Sequence, residues 1–143
     1  MEKFDLAVIG GGTGGLRAAL TSAAHGHKTA LIEPSVLGGT CLNTGCIPTK
    51  ALLYASDTFS ILKNCKELGI EVTNPRINFP ILMKRVKNII AKGQMHISVS
   101  VNNNNLKIFK TKASFVSHNS IKSGNTTISS KKFIIATGAL PMI

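Results

Sequence analysis

LAVIGGGTGGLRAAL, Leu6 to Leu20, decides the reading of this chain. Leu6 to Ile9 is a short apolar run that stops at glycines, as expected of a parallel strand buried on both faces. From Gly14 to His27 the apolar residues Leu16, Ala19, Leu20, Ala23 and Ala24 recur at helical spacing, and Gly26 supplies a C-terminal stop. Thr29 to Ile32 reads as a second strand. Strand, glycine turn, helix and strand in this order predict a βαβ unit with a parallel sheet.

The turn itself carries chemistry. Gly10, Gly12 and Gly15 form G-x-G-x-x-G between strand and helix, where missing side chains let backbone N–H groups and the helix N-terminus meet a pyrophosphate. The motif alone is weak, so its context matters. Glu33 ends the second strand 18 residues after Gly15, where an acid would accept hydrogen bonds from the ribose hydroxyls of an adenosine.

Further along, GGTCLNTGCIPTK from Gly38 to Lys50 sets Cys41 and Cys46 five residues apart. On a regular helix such a pair rises about 7.5 Å and points about 140° apart. A disulfide needs a Cα separation of roughly 4.4–6.8 Å, so a bonded pair requires an irregular turn. Gly45 and Pro48 supply the means to distort it. A metal site and a purely structural disulfide are the alternatives. Zinc would want four ligands, and no second cysteine pair or H-x3-H partner is present. A structural bridge closing so small a loop would stabilise little.

Ala51 to Leu68 is expected to be helical, with Leu52, Ala55, Phe59, Leu62, Cys65 and Leu68 on one face. Cys65 then reads as a buried, inert thiol. Another helix is expected near Pro80, with Leu82, Val86, Ile89 and Ile90 inward and Lys84, Arg85, Lys87 and Lys92 outward. After the asparagine run Asn102 to Asn105, Leu106 to Phe109, Ala113 to Val116 and Thr126 to Ile128 read as an antiparallel meander. Phe133 to Ala136 reads as a last, separate strand, and residues 117–132 as hairpin turns.

Composition bounds the rest. The 143 residues, 43% hydrophobic, suggest one domain with one core that buries roughly two-thirds of the unfolded surface. The net charge of +11 raises nucleic acid as a partner, but only three of the seventeen basic residues are arginine and the lysines are scattered without an aromatic platform. No nucleic acid is expected. Nor is a membrane, since no apolar run of about 18 residues occurs and glycines break the N-terminal one. A cytoplasmic setting is expected, where three cysteines are not a disulfide framework and a close pair does chemistry or binds metal.

Gly10 to Gly15, Glu33, Gly38 to Lys50 and KFIIATGALP from Lys132 to Pro141 together resemble the pyridine nucleotide-disulfide oxidoreductases, which include dihydrolipoyl dehydrogenase, glutathione reductase and mercuric reductase. Leu42, Ile47, Thr49, Ala51, Leu52 and Leu53 look most like the first of these. The resemblance implies an incomplete Rossmann-like FAD-binding domain of α/β class, with a parallel sheet, a βαβ unit and an antiparallel meander. It implies FAD as cofactor and electron flow among NAD(P)(H), FAD and a redox-active Cys41–Cys46 disulfide. Cys41 would be the interchange thiol and Cys46 the thiol against the flavin, with Lys50 near the flavin ring. Gly39 and Thr40 would touch the phosphates, Ala113 the adenine, and Thr137 and Gly138 the flavin. A small-molecule or lipoyl disulfide would be the substrate and a homodimer the assembly.

Two departures stand out: Thr111 replaces a common glycine, and Ala139 a common serine. His25, His27, His96 and His118 match no catalytic histidine of the family. Neither a second G-x-G-x-x-G nor the family's later Gly-Asp motif occurs. A truncated member is therefore expected, lacking the NAD(P) and dimerisation domains, with weak FAD binding, little turnover and uncovered apolar strand edges. The alternatives are a fragment like mercuric or glutathione reductase, or a non-catalytic nucleotide-binding remnant.

Overall fold

In the computed structural model, which describes residues 1–102 and 104–140, the chain divides into two compact units rather than one. Residues 1–39 with those from Gln94 onward form the first, and Thr40–Gly93 the second. Asn103 in the asparagine run and Pro141 at the end of the last motif lie outside the described residues.

The first unit is built on β1 (Glu2–Ile9), α1 (Thr13–Ala24) and β2 (Thr29–Ile32), the predicted βαβ unit. β1 pairs in parallel with β2, Leu6 opposite Thr29 through Ile9 opposite Ile32. α1 buries Leu16, Ala19 and Ala23 against Val8, Leu31 and Leu106. It ends where Gly26 takes a left-handed φ of 82°. β1 starts earlier than its apolar run because Glu2 to Phe4 also pair, with Ile128 to Ser130.

The second unit holds α2 (Gly39–Asn43, from Thr40 on), α3 (Cys46–Asn64), a 3₁₀ turn at Cys65–Leu68 and α4 (Phe79–Ser100) as far as Gly93. Ala51, Cys65 and Val86 are its buried residues. Asn78 caps α4, its side-chain oxygen accepting from the Ile81 N–H at 3.1 Å, which places Pro80 in the first turn. Cys65 is buried as expected and donates toward the carbonyls of Leu62 and Ile70. Leu68, expected on the buried face, is 73% exposed because the helix has already tightened into the 3₁₀ turn.

Back in the first unit, β3 (Leu106–Phe109), β4 (Ala113–Ser117), β5 (Ser120–Ser123) and β6 (Thr126–Ile135) complete one sheet of order β3-β2-β1-β6-β5-β4. This corrects the meander. β3 is a parallel strand beside β2, Leu106 opposite Thr29, so only β4, β5 and the first half of β6 run antiparallel. The two strands expected at Thr126–Ile128 and Phe133–Ala136 are one, β6, whose second half pairs in parallel with β1. Residues 120–123, taken as part of hairpin turns, form β5, whose Ile121 is fully buried beside Ile128 and Phe4.

Beyond Ser130 the outer edge of β6 pairs with no strand among the described residues, and Ile135 is 66% exposed there. Lys131 reaches Asp5 at 2.6 Å across this part of the sheet, and its hydrogen bond holds the Asp5 carboxyl below the usual carboxylate range.

At the ends of β1 and β6 the backbones nearly touch. A Cβ on Gly15 would lie 1.9 Å from the Gly10 carbonyl oxygen, and one on Gly10, which has φ +107°, 2.2 Å from that of Ala136. By contrast, a Cβ on Gly14 would meet nothing within 4 Å. Gly15→Ala should therefore lower stability by about 1–3 kcal/mol, the range of core overpacking. Gly14→Ala should be neutral or add about 0.4–1 kcal/mol by restricting the unfolded chain. Urea midpoints check both, and equal effects would contradict the packing described.

Candidate functional site

The first unit gathers the phosphate-turn residues. Gly10 lies at the carboxyl end of β1, the strand from which the chain proceeds to β2 on one side and which pairs with β6 on the other. In open α/β sheets ligands bind at the carboxyl ends of strands at such a reversal. Gly12 caps α1, which has no side-chain cap and no acid in its own first turn. A Cβ on Gly12 would come no closer than 4.0 Å to its nearest neighbour, Gly39 Cα. The backbone there is bare.

Glu33 follows β2, and backbone donors fix its carboxylate. Oε2 accepts from the Gly11 N–H at 2.7 Å and Oε1 from the Ser35 N–H at 2.9 Å. Each oxygen keeps lone-pair capacity for a further donor such as a ribose hydroxyl. The Glu33 N–H in turn donates to the Phe109 carbonyl at 3.0 Å. Four residues on, Ala113 opens β4, half-buried against the cluster of Phe4, Ala30 and Ile32. Thr111 is accommodated between these points: its hydroxyl and that of Ser123 share a hydrogen bond, and Gly124 leaves room for its methyl.

Thr137 and Gly138 lie past the end of β6 and are exposed, Gly138 with φ +76°. A Cβ on Gly10 would sit 3.0 Å from the Thr137 nitrogen, so this segment adjoins the glycine turn. These residues fit the adenosine diphosphate part of FAD: an open helix N-terminus, a bare backbone and a fixed carboxylate at the strand ends.

The second unit carries the cysteines. α2 ends at Asn43 and α3 begins at Cys46, so the irregular turn falls between the two sulfurs as expected. Gly45 caps α3 with φ −120° and ψ −108°. A Cβ there would come 2.9 Å from the Thr40 carbonyl oxygen, which already accepts from the Thr44 N–H at 3.0 Å. The short α2 and the start of α3 therefore meet backbone to backbone. Both cysteines are free thiols, Cys41 half-buried and Cys46 exposed.

The sulfurs interact. A hydrogen bond to Cys46, reinforced by burial and by the charge of a Cys46 thiolate, raises the Cys41 pKa above the ordinary thiol value. The Lys50 ammonium and the Cys46 backbone N–H oppose that rise. Cys46 takes the first position of α3. Exposure runs opposite to the roles the resemblance implies, since Cys46 is the more open of the two. Among the described residues no three His, Cys, Asp or Glu side chains group to hold a metal ion. No helix described is long and apolar enough to cross a membrane.

Gly93 was not legible as part of this region. It lies inside α4, and a Cβ on it would stand 2.5 Å from Leu42 Cδ1, on the helix that carries Cys41. A glycine within a helical pattern was the only signal.

Because Cys46 is the main cause of the raised Cys41 pKa, Cys46→Ala should lower the pH midpoint of Cys41 alkylation. Lys50→Met should raise it. Mass spectrometry of the alkylated chain across pH reads both shifts, and an unmoved midpoint in Cys46→Ala would contradict the sulfur-to-sulfur interaction.

Residues 4–143 match the family model described as pyridine nucleotide-disulphide oxidoreductase. The chain is 36% identical to the dihydrolipoyl dehydrogenase of Chlamydia trachomatis serovar D over 143 residues, 98% of this chain and 31% of that protein. It is 33% identical to that of Chlorobaculum parvum over 146 residues and 36% to that of Geobacillus stearothermophilus over 144, again 31% of each. The Cu(II) complex of the HOCl-induced flavoprotein disulfide reductase RclA from Escherichia coli superposes with a TM-score of 0.79 at 26% identity. That match covers 97% of this chain and 29% of RclA. The chain thus spans about a third of the length of these relatives and shares the α/β fold of a flavoprotein disulfide reductase. It belongs to the pyridine nucleotide-disulfide oxidoreductase family.

Proposed function

We propose that this chain supplies the adenine-nucleotide cradle for FAD and the redox-active cysteine pair of a disulfide reductase most like dihydrolipoyl dehydrogenase. The observation that carries this reading is that Cys41 and Cys46 flank the break between α2 and α3, each on its own helix, in a chain of this family. Two thiols held together across an irregular turn can close to a disulfide and reopen at little structural cost.

In this reading Gly10, Gly12, Gly15, Gly39 and Thr40 receive the pyrophosphate through backbone N–H groups and the start of α1. Glu33 orients the adenosine ribose and Ala113 borders the adenine. Thr137, Gly138 and Lys50 face the flavin. When bound, FAD supplies a two-electron carrier between a nicotinamide and the cysteine pair. Cys46, at the helix start, holds charge as the flavin-side thiolate, and Cys41 exchanges with a lipoyl or other small disulfide. The assignment of Cys41 to exchange rests on its place in the family motif and not on exposure. Nicotinamide binding, the homodimer and a cytoplasmic setting belong to the same proposal.

The test has two arms. Flavin fluorescence should be quenched by the chain in a saturable way, and Gly12→Asp, which sets a carboxylate in the bare cradle, should weaken that binding about tenfold or more. Cys46→Ser should form a mixed disulfide with oxidised lipoamide through Cys41 faster than Cys41→Ser forms one through Cys46. Absent quenching counts against the cradle, and a reversed order of rates against the division of roles.

A further inference from the structure

We infer that Gly93 is a positioning residue for the cysteine pair, acting through Leu42. The reasoning starts from an anomaly in α4. Its Phe79–Ser100 stretch is otherwise ordinary helix, and glycine inside a helix is unfavourable relative to alanine. Gly93 does not take a left-handed φ, so no backbone conformation requires it.

Its neighbour does. A Cβ on Gly93 would lie 2.5 Å from Leu42 Cδ1, 3.4 Å from Cδ2 and 3.5 Å from Cγ, so the isobutyl end of Leu42 is seated on the bare surface of α4. Leu42 follows Cys41 directly on α2, a helix of only five residues. On its other side α2 meets α3 through the Thr40 carbonyl and Gly45, whose Cβ would come within 2.9 Å. Thr40 on Gly45 and Leu42 on Gly93 therefore tie α2 to both α3 and α4, and Cys41 lies between Thr40 and Leu42 in sequence. Cys46 is set by α3. Cys41 is thus carried by a helix that touches α4 through Leu42, so a shift of α2 at that contact moves one sulfur of the pair and not the other.

The inference rests on the proposed redox role of the pair, but its readout needs neither flavin nor turnover. The experiment uses the whole chain with oxidised glutathione. A protein thiolate attacks one glutathione sulfur and releases one glutathione thiolate. The second protein thiolate then attacks the protein sulfur of that mixed disulfide and releases the other. Two electrons pass from the cysteines to glutathione, and the two thiol protons end on the two released glutathione molecules. The ratio of closure to mixed-disulfide formation is the effective concentration of one thiol toward the other, and it reports their relative placement.

Gly93→Ala should improve helix propensity yet lower this effective concentration about tenfold, since misplacement near 1 Å can cost about 10²-fold. Leu42→Val, which withdraws a carbon from the same contact, should lower it as well. Combined, the two changes conserve volume and should recover the wild-type value within about twofold. Circular dichroism confirms that each variant is folded, and a variant that fails to fold is replaced by Gly93→Ser with Leu42→Val. An effective concentration in Gly93→Ala within about twofold of wild type would overturn the inference. So would a double variant no better than the product of the single effects. Loss of FAD binding or of the Cys41 role would leave this measurement intact, which separates the two failures.

Discussion

Backbone-to-backbone contact at the ends of β1 and β6 is the constraint on which the first unit depends. The start of α1 rests on the Gly10 carbonyl through Gly15, and Gly10 rests on the Ala136 carbonyl, with no side chain between them. Two jobs are thereby divided among neighbouring glycines. Gly10 and Gly15 are there because the chain passes too close to itself for a Cβ, whereas Gly12 and Gly14 leave the helix start open. The same motif thus brings strand and helix together and bares the N–H groups that an anion would meet. Glu33, tied to Gly11, belongs to that arrangement and is not a free surface acid.

The second unit repeats the device in helical form. Two short approaches, Thr40 to Gly45 and Leu42 to Gly93, stand where side chains would otherwise keep helices apart. A turn closed this way positions two sulfurs without relying on a regular helix, on which residues five apart point away from each other. The electrostatics then separate two chemically identical groups. Cys41 keeps its proton to a higher pH because Cys46 is its partner, while Lys50 works in the other direction.

Much of this was legible in the sequence, and the failures have physical causes. β2 and the βαβ unit could be read because an apolar run, glycines and helical spacing follow one another without interruption. β3 reads as part of the meander because a four-residue strand carries no sign of its direction; its parallel pairing comes from contacts with β2, far away in sequence. β6 reads as two strands because Ser129 to Lys132 interrupts its apolar pattern, although parallel pairing with β1 keeps the strand continuous there. In the site, the cysteine spacing demanded a distorted turn and the structure supplies one between Asn43 and Cys46. The relative exposure of the two thiols had no local signature. Gly93 escaped notice because the meaning of a helical glycine lies in what packs on it, here a leucine on another helix.

The central claim is that Cys41 and Cys46 form one reversible two-electron couple built into the α2–α3 corner. Equilibrating the purified chain across a series of reduced and oxidised glutathione ratios, followed by rapid thiol trapping and peptide mass mapping, tests it most directly. The account predicts a single two-electron transition whose product is the Cys41–Cys46 disulfide, with Cys65 trapped as a free thiol throughout. Separate one-thiol transitions ending in glutathione adducts on Cys41 and Cys46, or a disulfide that includes Cys65, would contradict it.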